Sequence, residues 1–213
     1  TVLPSMFSAP NGKTFDQWMD QDGKKQAPGQ TITTSKDITF NALWKDAVVT
    51  PPTYTATITF QSNTQEQEKT QTLTGSSGAF ITGKLDAYTF TPPTGWKFMG
   101  WSTAKAASQN AAFYADEEAV TLQHGDTLTL YAILYKQDEN SGVVTLPGPD
   151  GEPNTNDEVT VTPPKDGTIT PGNGFVTAPS GSEIKNPANA KPIKVTKGEV
   201  NVYPDGSVYV PEG

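Results

Sequence analysis

A twelve-residue segment occurs twice in this chain, and the repetition limits the available folds more than any other feature. The segment FSAPNGKTFDQW at 7–18 recurs 83 residues later, at 90–101, as FTPPTGWKFMGW. Five of the twelve positions are identical without a gap: Phe7/Phe90, Pro10/Pro93, Gly12/Gly95, Phe15/Phe98 and Trp18/Trp101. A repeated aromatic pattern predicts two small units that each bury the same rings.

The repetition continues into the strand that follows each copy. The segment TITTSKDITFNALWK at 31–45 resembles AVTLQHGDTLTLYAILYK at 119–136. Four apolar positions correspond: Ile38, Phe40, Ala42 and Trp44 with Leu128, Leu130, Ala132 and Leu134. The offset rises from 83 to 90, so the second copy has about seven extra residues, which TAKAASQNAAFYADEE accommodates as a loop or a short helix. The second copy also begins with a strand, YTATITFQSN at 54–63, that the first copy lacks.

Turn-forming residues punctuate the chain so often that long helices have little room. Of 213 residues, 18 are Pro and 19 are Gly. Thr alternates with Val, Ile or Tyr in YTATITF and VTVT, a period-two pattern that favours strands. We therefore expect a mainly β fold.

Strand alternation also predicts which side chains share a face. It places Leu128, Leu130, Ala132 and Leu134 in one buried stripe. In the preceding strand it places Phe98 with Gly100 on one face and Met99 with Trp101 on the other.

A different repeat begins after QDENSG at 137–142. Three similar segments, GVVTLPG, GFVTAPSG and GSVYVPEG, begin at Gly142, Gly174 and Gly206, 32 residues apart. Short strands at a fixed spacing predict stacked hairpins or a solenoid-like array. The chain is thus expected to contain a partial repeat module at 1–47, a complete module at 53–137 and a short-strand segment at 142–213. Pro51-Pro52 marks the first boundary.

The aromatic residues are candidates for a core or for a ligand-binding face. The predicted core residues are Phe15, Trp18, Trp44, Phe98, Trp101, Leu128, Leu130 and Leu134. Trp96 differs from these, because the first copy has Lys13 at its position and so does not need an aromatic ring there. Trp96 and Tyr114 are therefore the candidates for an exposed platform on which a sugar could stack.

The sequence predicts no catalytic residue, no cofactor and no metal ligand. There is no Cys, and the single histidine, His124, lies in QHGDT, a turn before a strand. No nucleophile elbow is present, and nothing builds a cleft around the adjacent carboxylates of Asp116, Glu117 and Glu118.

DQDGKK at 20–25 begins like a calcium loop, but its twelfth position is Thr31 where a bidentate Glu is needed, so a hairpin turn is expected. The acidic segment PDGEPNTNDE at 149–158 could bind calcium but is more typical of a solvated linker.

Charge and hydropathy restrict the partners. The net charge is −8, and all 15 basic residues are Lys, so a phosphate backbone is repelled and the planar fork of Arg is missing. Nucleic acid is not expected as a partner. No apolar run approaches the roughly 20 residues that span a bilayer, so membrane insertion of this chain is not expected either.

Residues 54–136 carry four spaced motifs in a recognisable order: the strand at 54–60, then GWKFMGW at 95–101, YAD at 114–116 and LYA at 130–132. This order resembles the Listeria–Bacteroides repeat, also called the internalin B-repeat family. Leu134 departs from the family, which usually has Trp there, whereas the first copy keeps that residue as Trp44. The first copy resembles the family only in part over 1–46, with Gln17 in place of Gly and Asn41 in place of Tyr. The segment 142–213 is not covered.

The resemblance implies small β-grasp-like modules in bacterial surface or secreted proteins, of Gram-positive or gut bacteria, without catalytic residues. We therefore expect a non-enzymatic spacer or adhesive segment, extracellular or at the cell surface. Its expected partner is a host or bacterial surface protein or glycan. The alternative is a carbohydrate-binding accessory region of a secreted enzyme.

Overall fold

The computed structural model describes residues 1–2, 7–76, 80–189 and 191–211. Over these residues the protein is all β and contains no helix, which confirms the predicted mainly β class. The described part therefore has no helix that could cross a membrane. The chain divides into two compact units, Thr1–Pro51 (unit 1) and Pro52–Gly213 (unit 2), with the boundary inside the Pro51-Pro52 pair.

Unit 1 contains β1 (Lys13–Asp20), β2 (Lys25–Gln26) and β3 (Phe40–Asp46), paired antiparallel in the order β2-β1-β3. The segment DQDGKK forms the predicted hairpin turn between β1 and β2. Its Asp20 Oδ1 accepts backbone hydrogens from Asp22 at 3.1 Å and Lys24 at 2.8 Å, and Gly23 supplies a positive φ of 80°.

The described residues of unit 2 form fifteen strands. They are β4 (Tyr54–Gln61), β5 (Lys69–Gly75), β6 (Phe80–Lys84), β7 (Trp96–Ser102), β8 (Phe113–Tyr114), β9 (Ala119–Gln123), β10 (Thr127–Gln137), β11 (Val144–Leu146), β12 (Val159–Thr162), β13 (Thr170–Pro171), β14 (Val176–Pro179), β15 (Glu183–Lys185), β16 (Ile193–Lys194), β17 (Glu199–Val202) and β18 (Val208–Tyr209).

The long strand β10 organises unit 2. Its first half, 127–131, pairs parallel with β4, and its second half, 131–136, pairs antiparallel with β7. Its last two residues pair with β11, which extends the same sheet in the order β16-β15-β12-β11-β10-β4-β5, with β7 and β8 beside it. Two smaller sheets, β13-β14-β17-β18 and β6-β9, complete the unit.

A β-bulge in β7 puts Phe98 and Trp101 on the same face. Trp101 lies opposite Ala132 and Phe98 opposite Leu134, so three steps along β7 match two steps along β10. The two rings accordingly meet, with centroids 5.0 Å apart. The strict alternation predicted from the sequence, which grouped Trp101 with Met99, is wrong because the extra residue reverses the alternation.

The same bulge occurs in β1 of unit 1. Trp18 lies opposite Ala42 and Phe15 opposite Trp44, again three steps against two, and the Phe15 and Trp18 rings are 5.1 Å apart. Each of these pairings corresponds to its counterpart in unit 2 at the offsets of 83 and 90 residues. The repeated Phe-x-x-Trp spacing therefore specifies a bulged strand whose two rings share a core.

Two clusters of buried side chains stabilise unit 2. The first, called here the aromatic core, consists of Ala56, Ile58, Phe60, Leu73, Ile81, Leu85, Phe90, Trp101, Val120, Leu130 and Ala132. The second, called the valine core, consists of Val144, Leu146, Val159, Val161, Ile169, Val176, Ala178, Ile184, Val195, Val200 and Val202.

The valine core lies within the C-terminal segment, and Met99 and Tyr135 of the preceding strands pack against it. Strands β11, β12 and β15 belong to the large sheet, whereas β14 and β17 belong to the four-stranded sheet, and all five contribute to one cluster. The repeated segments beginning at Gly142 and Gly174 thus lie in two sheets packed face to face. Short Val-rich strands bury little area unless a second sheet covers them, and the two sheets provide that cover for each other.

Candidate functional site

The ring of Trp96 is not available as an exposed platform. Its side chain is only 6% exposed, and its Nε1 donates a hydrogen bond to Asn154 Oδ1 at 3.0 Å. The partner belongs to the acidic segment 149–158, which the sequence pattern treats as a linker. The repeat comparison could not reveal this contact, since unit 1 has no counterpart of that segment.

Tyr114 is half-buried and packs against the aromatic core. It lies opposite Trp101 in the β7–β8 pair. Trp96 is five residues from Trp101 along β7, about 17 Å in an extended strand. Trp96 and Tyr114 therefore do not form a shared binding face.

The predicted core residues lie at two depths. Trp101, Leu130 and Leu134 are at most 1% exposed, and Trp18 is 8% exposed. The remaining four are half-buried: Phe15, Trp44, Phe98 and Leu128.

The acidic segment directs its carboxylates to its own backbone and to one lysine. Asp157 Oδ2 accepts the backbone hydrogen of Asp150 at 3.1 Å, and Asp150 Oδ1 accepts that of Glu152 at 2.7 Å. Glu152 Oε1 lies 2.6 Å from Lys105 Nζ. Within the described part of the chain, no three acidic or His side chains are grouped so as to hold a metal ion. These contacts fold the segment as a compact loop against unit 2.

His124 fixes the start of β4. Its Nδ1 accepts the backbone hydrogen of Thr55 at 3.0 Å, and its ring meets the edge of Tyr54 at 5.2 Å. This is a structural contact between a turn and the beginning of a strand.

A polar pocket of about 380 Å³, which the sequence did not indicate, opens on unit 2 and is lined by Gln109, Asn110, Tyr203 and Tyr209. Tyr209 is 41% exposed, whereas Tyr203 is buried, and this burial raises the pKa of its phenol. Two amides and two phenols provide both an aromatic face and hydrogen-bonding groups suited to sugar hydroxyls. We call it the tyrosine pocket.

Unit 1 has an open sheet edge beside an apolar pocket. Among the described residues, β3 pairs only with β1, so its other edge has no strand partner. A pocket of about 300 Å³ is lined by Thr1, Val2, Phe7, Trp18 and Phe40. An unpaired edge next to apolar surface is a typical site for an added strand.

The open edge of β3 and the tyrosine pocket thus each present unpaired or hydrogen-bonding groups at the surface of the described chain. No protein-family model, curated protein or solved structure matches this chain.

Proposed function

We propose that this chain is a non-enzymatic structural and adhesive segment of a bacterial cell-surface or secreted protein, acting as a spacer or partner-binding repeat. The observation that carries the proposal is the repeated bulge, in which Trp18 and Trp101 occupy equivalent positions opposite Ala42 and Ala132. Tandem modules built around the same core are typical of proteins that extend a binding region away from a surface.

The polar groups of the two units support this proposal. The carboxylates of Asp20, Asp150 and Asp157 accept turn hydrogen bonds. His124 contacts the start of a strand, so these polar side chains have structural contacts. The mixed strand order β5-β4-β10-β7, with a parallel central pair, supports the β-grasp-like part of the family resemblance.

The proposal is tested by displaying the chain on a bacterial cell between a wall anchor and a terminal reporter. Cells with the folded chain should show saturable adhesion to host cells or bacterial walls, or greater access of a large antibody to the reporter. A variant with Trp101→Ala, which removes a ring from the aromatic core, serves as the destabilised control. Unchanged adhesion and unchanged antibody access would contradict the proposal, as would glycan hydrolysis by the purified chain.

A carbohydrate-binding accessory role is the second candidate, and the tyrosine pocket is the observation that favours it. Binding should be measured on an array of mucin, host and bacterial-wall glycans. Tyr209→Ala should lower affinity by about tenfold if the ring stacks on a sugar, a loss of about 1.4 kcal/mol. Val210→Ala is the matched control, because Val210 is 64% exposed and does not line the pocket. Equal glycan affinity of the two variants would show that the tyrosine pocket does not bind the glycan.

A further inference from the structure

We propose that the open edge of β3 accepts a further strand, and that its occupant is a segment of the same repeat type as residues 53–83, joined to the amino side of Thr1. The inference goes beyond the adhesive function, because it concerns how unit 1 is completed. Four observations carry it, and each compares a position in unit 1 with its equivalent in unit 2.

The first observation is the pairing of the equivalent strand. In unit 2, residues 127–131 of β10 pair parallel with 57–61 of β4. The equivalent residues of unit 1, at the offset of 90, are 37–41. Of these, only Phe40 and Asn41 belong to β3, and 37–39 lie outside any strand. Unit 1 therefore lacks strand structure at three of the five positions whose equivalents pair with β4 in unit 2.

The second observation is the pocket beside this edge. In unit 2, Phe60 of β4 lies opposite Leu130, and its ring is 4.8 Å from that of Trp101. The equivalents of Leu130 and Trp101 in unit 1 are Phe40 and Trp18, and both line the apolar pocket. Two residues that line this pocket are thus the equivalents of two residues that neighbour the ring of Phe60 in unit 2.

The third observation concerns the first residue of the repeated segment. Phe7 meets Trp18 at 6.1 Å and 72°, and Phe90 meets Trp101 at 6.3 Å and 70°, so the two pairs have the same geometry. Phe90 is only 6% exposed, whereas Phe7 is 67% exposed. In unit 2 the ring of Phe90 is covered from β5 by Lys69, whose Nζ is 4.2 Å from the ring centroid. A counterpart of β5 would cover Phe7 in the same way.

The fourth observation is the path of the chain. Val2 donates its backbone hydrogen to Gln30 O at 2.9 Å, and its equivalent Leu85 donates to Glu118 O at the same distance. Leu85 directly follows β6. A segment joined to Thr1 would therefore arrive at unit 1 where β6 arrives at the aromatic core of unit 2. Covalent attachment at this point also gives the strand a high effective concentration.

The test is a chain in which a second copy of residues 53–83 is joined directly ahead of Thr1. Backbone hydrogen exchange across 37–41 should slow by about tenfold or more relative to the unmodified chain, because alternate amides there gain a strand partner. The melting temperature of unit 1 should rise, and the ring of Phe7 should become protected from solvent.

The matched control is the same added segment with Ile58→Asp and Phe60→Asp in the added copy only. Its inward face then carries charges that cannot be buried without a large penalty, so no protection should appear. The indole signals of Trp18 and Trp44 report whether unit 1 stays folded in every variant. Equal protection by both added segments, or protection by neither in a folded unit 1, overturns the proposal.

Discussion

Single side chains in unit 2 differ sharply in how far the sequence reveals their roles. Trp101 is repeated as Trp18, and both side chains are buried. Trp96 has no aromatic counterpart, and this absence suggested exposure. Its burial depends on Asn154, a partner 58 residues away, and a single sequence contains no local signal for such a contact.

Replacing Trp101 by alanine should lower the free energy of unfolding of unit 2 by about 3–5 kcal/mol, because a large ring is removed from a packed core. Urea unfolding at equilibrium measures the change. Trp96→Phe is the comparison, since it loses the hydrogen bond to Asn154 but keeps an aromatic ring, and it should cost about 1–2 kcal/mol. An unfolding midpoint unchanged by Trp101→Ala would contradict the core assignment.

Tyr88 should make unit 2 sensitive to alkaline pH. Burial, with a smaller contribution from the negative charge of Glu66, raises the pKa of Tyr88 to about 12, whereas an unfolded tyrosine has a pKa near 10. The folded state therefore resists loss of this proton. The stabilisation is fully present below pH 10 and is lost as the pH rises from about 10 to about 12.

Tyr88→Phe should reduce this loss of stability with pH, which urea unfolding between about pH 9 and pH 12 measures. Glu66→Gln should keep most of the pH dependence, since burial is the larger cause. Equal slopes for the wild type and for Tyr88→Phe would show that another group is responsible.

At the scale of strands, alternation predicts faces only where the pairing is regular. The stripe of Leu128, Leu130 and Ala132 lies in the aromatic core or packs against it, because β10 runs without interruption there. Phe98 and Trp101 do not follow this alternation, because β7 has a bulge between them. The repeated three-residue spacing of Phe and Trp is the signal that could have indicated the bulge.

Gly100 lies in this bulge and, contrary to the alternation, faces away from Phe98. It has a φ of 155°, and a Cβ built on it would lie 2.9 Å from Asn173 Oδ1 and 3.1 Å from the backbone oxygen of Tyr114. Gly100→Ala should therefore destabilise unit 2 by about 1–3 kcal/mol in urea unfolding. Gln17→Ala, at the equivalent position of unit 1, should change stability by less than about 0.5 kcal/mol.

Adding Asn173→Ala to Gly100→Ala should recover part of the lost stability, because the closest contact is with that side chain. A Gly100→Ala variant as stable as the wild type would show that a Cβ at this position does not clash with Asn173 or Tyr114.

For the whole molecule, the sequence predicted a mainly β fold and placed a boundary at Pro51-Pro52. It did not indicate that 142–213 shares a sheet with the second module. The segment QDENSG resembles a linker, but Asp138 Oδ1 accepts hydrogens from Asn140 at 3.0 Å and Ser141 at 2.8 Å. The backbone hydrogen bond from Ser141 lowers the pKa of Asp138 and helps form a tight turn that leads β10 into β11. Composition alone does not distinguish such a turn from a linker.

A continuous sheet should make the two cores of unit 2 unfold together. Val161→Ala, in the valine core, should shift the unfolding transition reported by the indole signal of Trp101, in the aromatic core, by about 2 kcal/mol. Val210→Ala, at an exposed position, should leave it unchanged. If Val161→Ala leaves the unfolding transition reported by Trp101 unchanged, the two cores unfold as independent domains.

The parallel pairing of β4 with β10 has a mechanical consequence. When unit 2 is pulled from its two ends, force at the C-terminal side acts first on β18. Its two residue pairs with β17 then separate one after the other. Tension at the amino side reaches β4, which is drawn backwards along β10, so five residue pairs are sheared together and resist as a group. The C-terminal strands of the unit would then unfold at low force, while the β4–β10 pair resists a much higher force. Extension of the C-terminal strands would dissipate a sudden pull before the β4–β10 pair breaks.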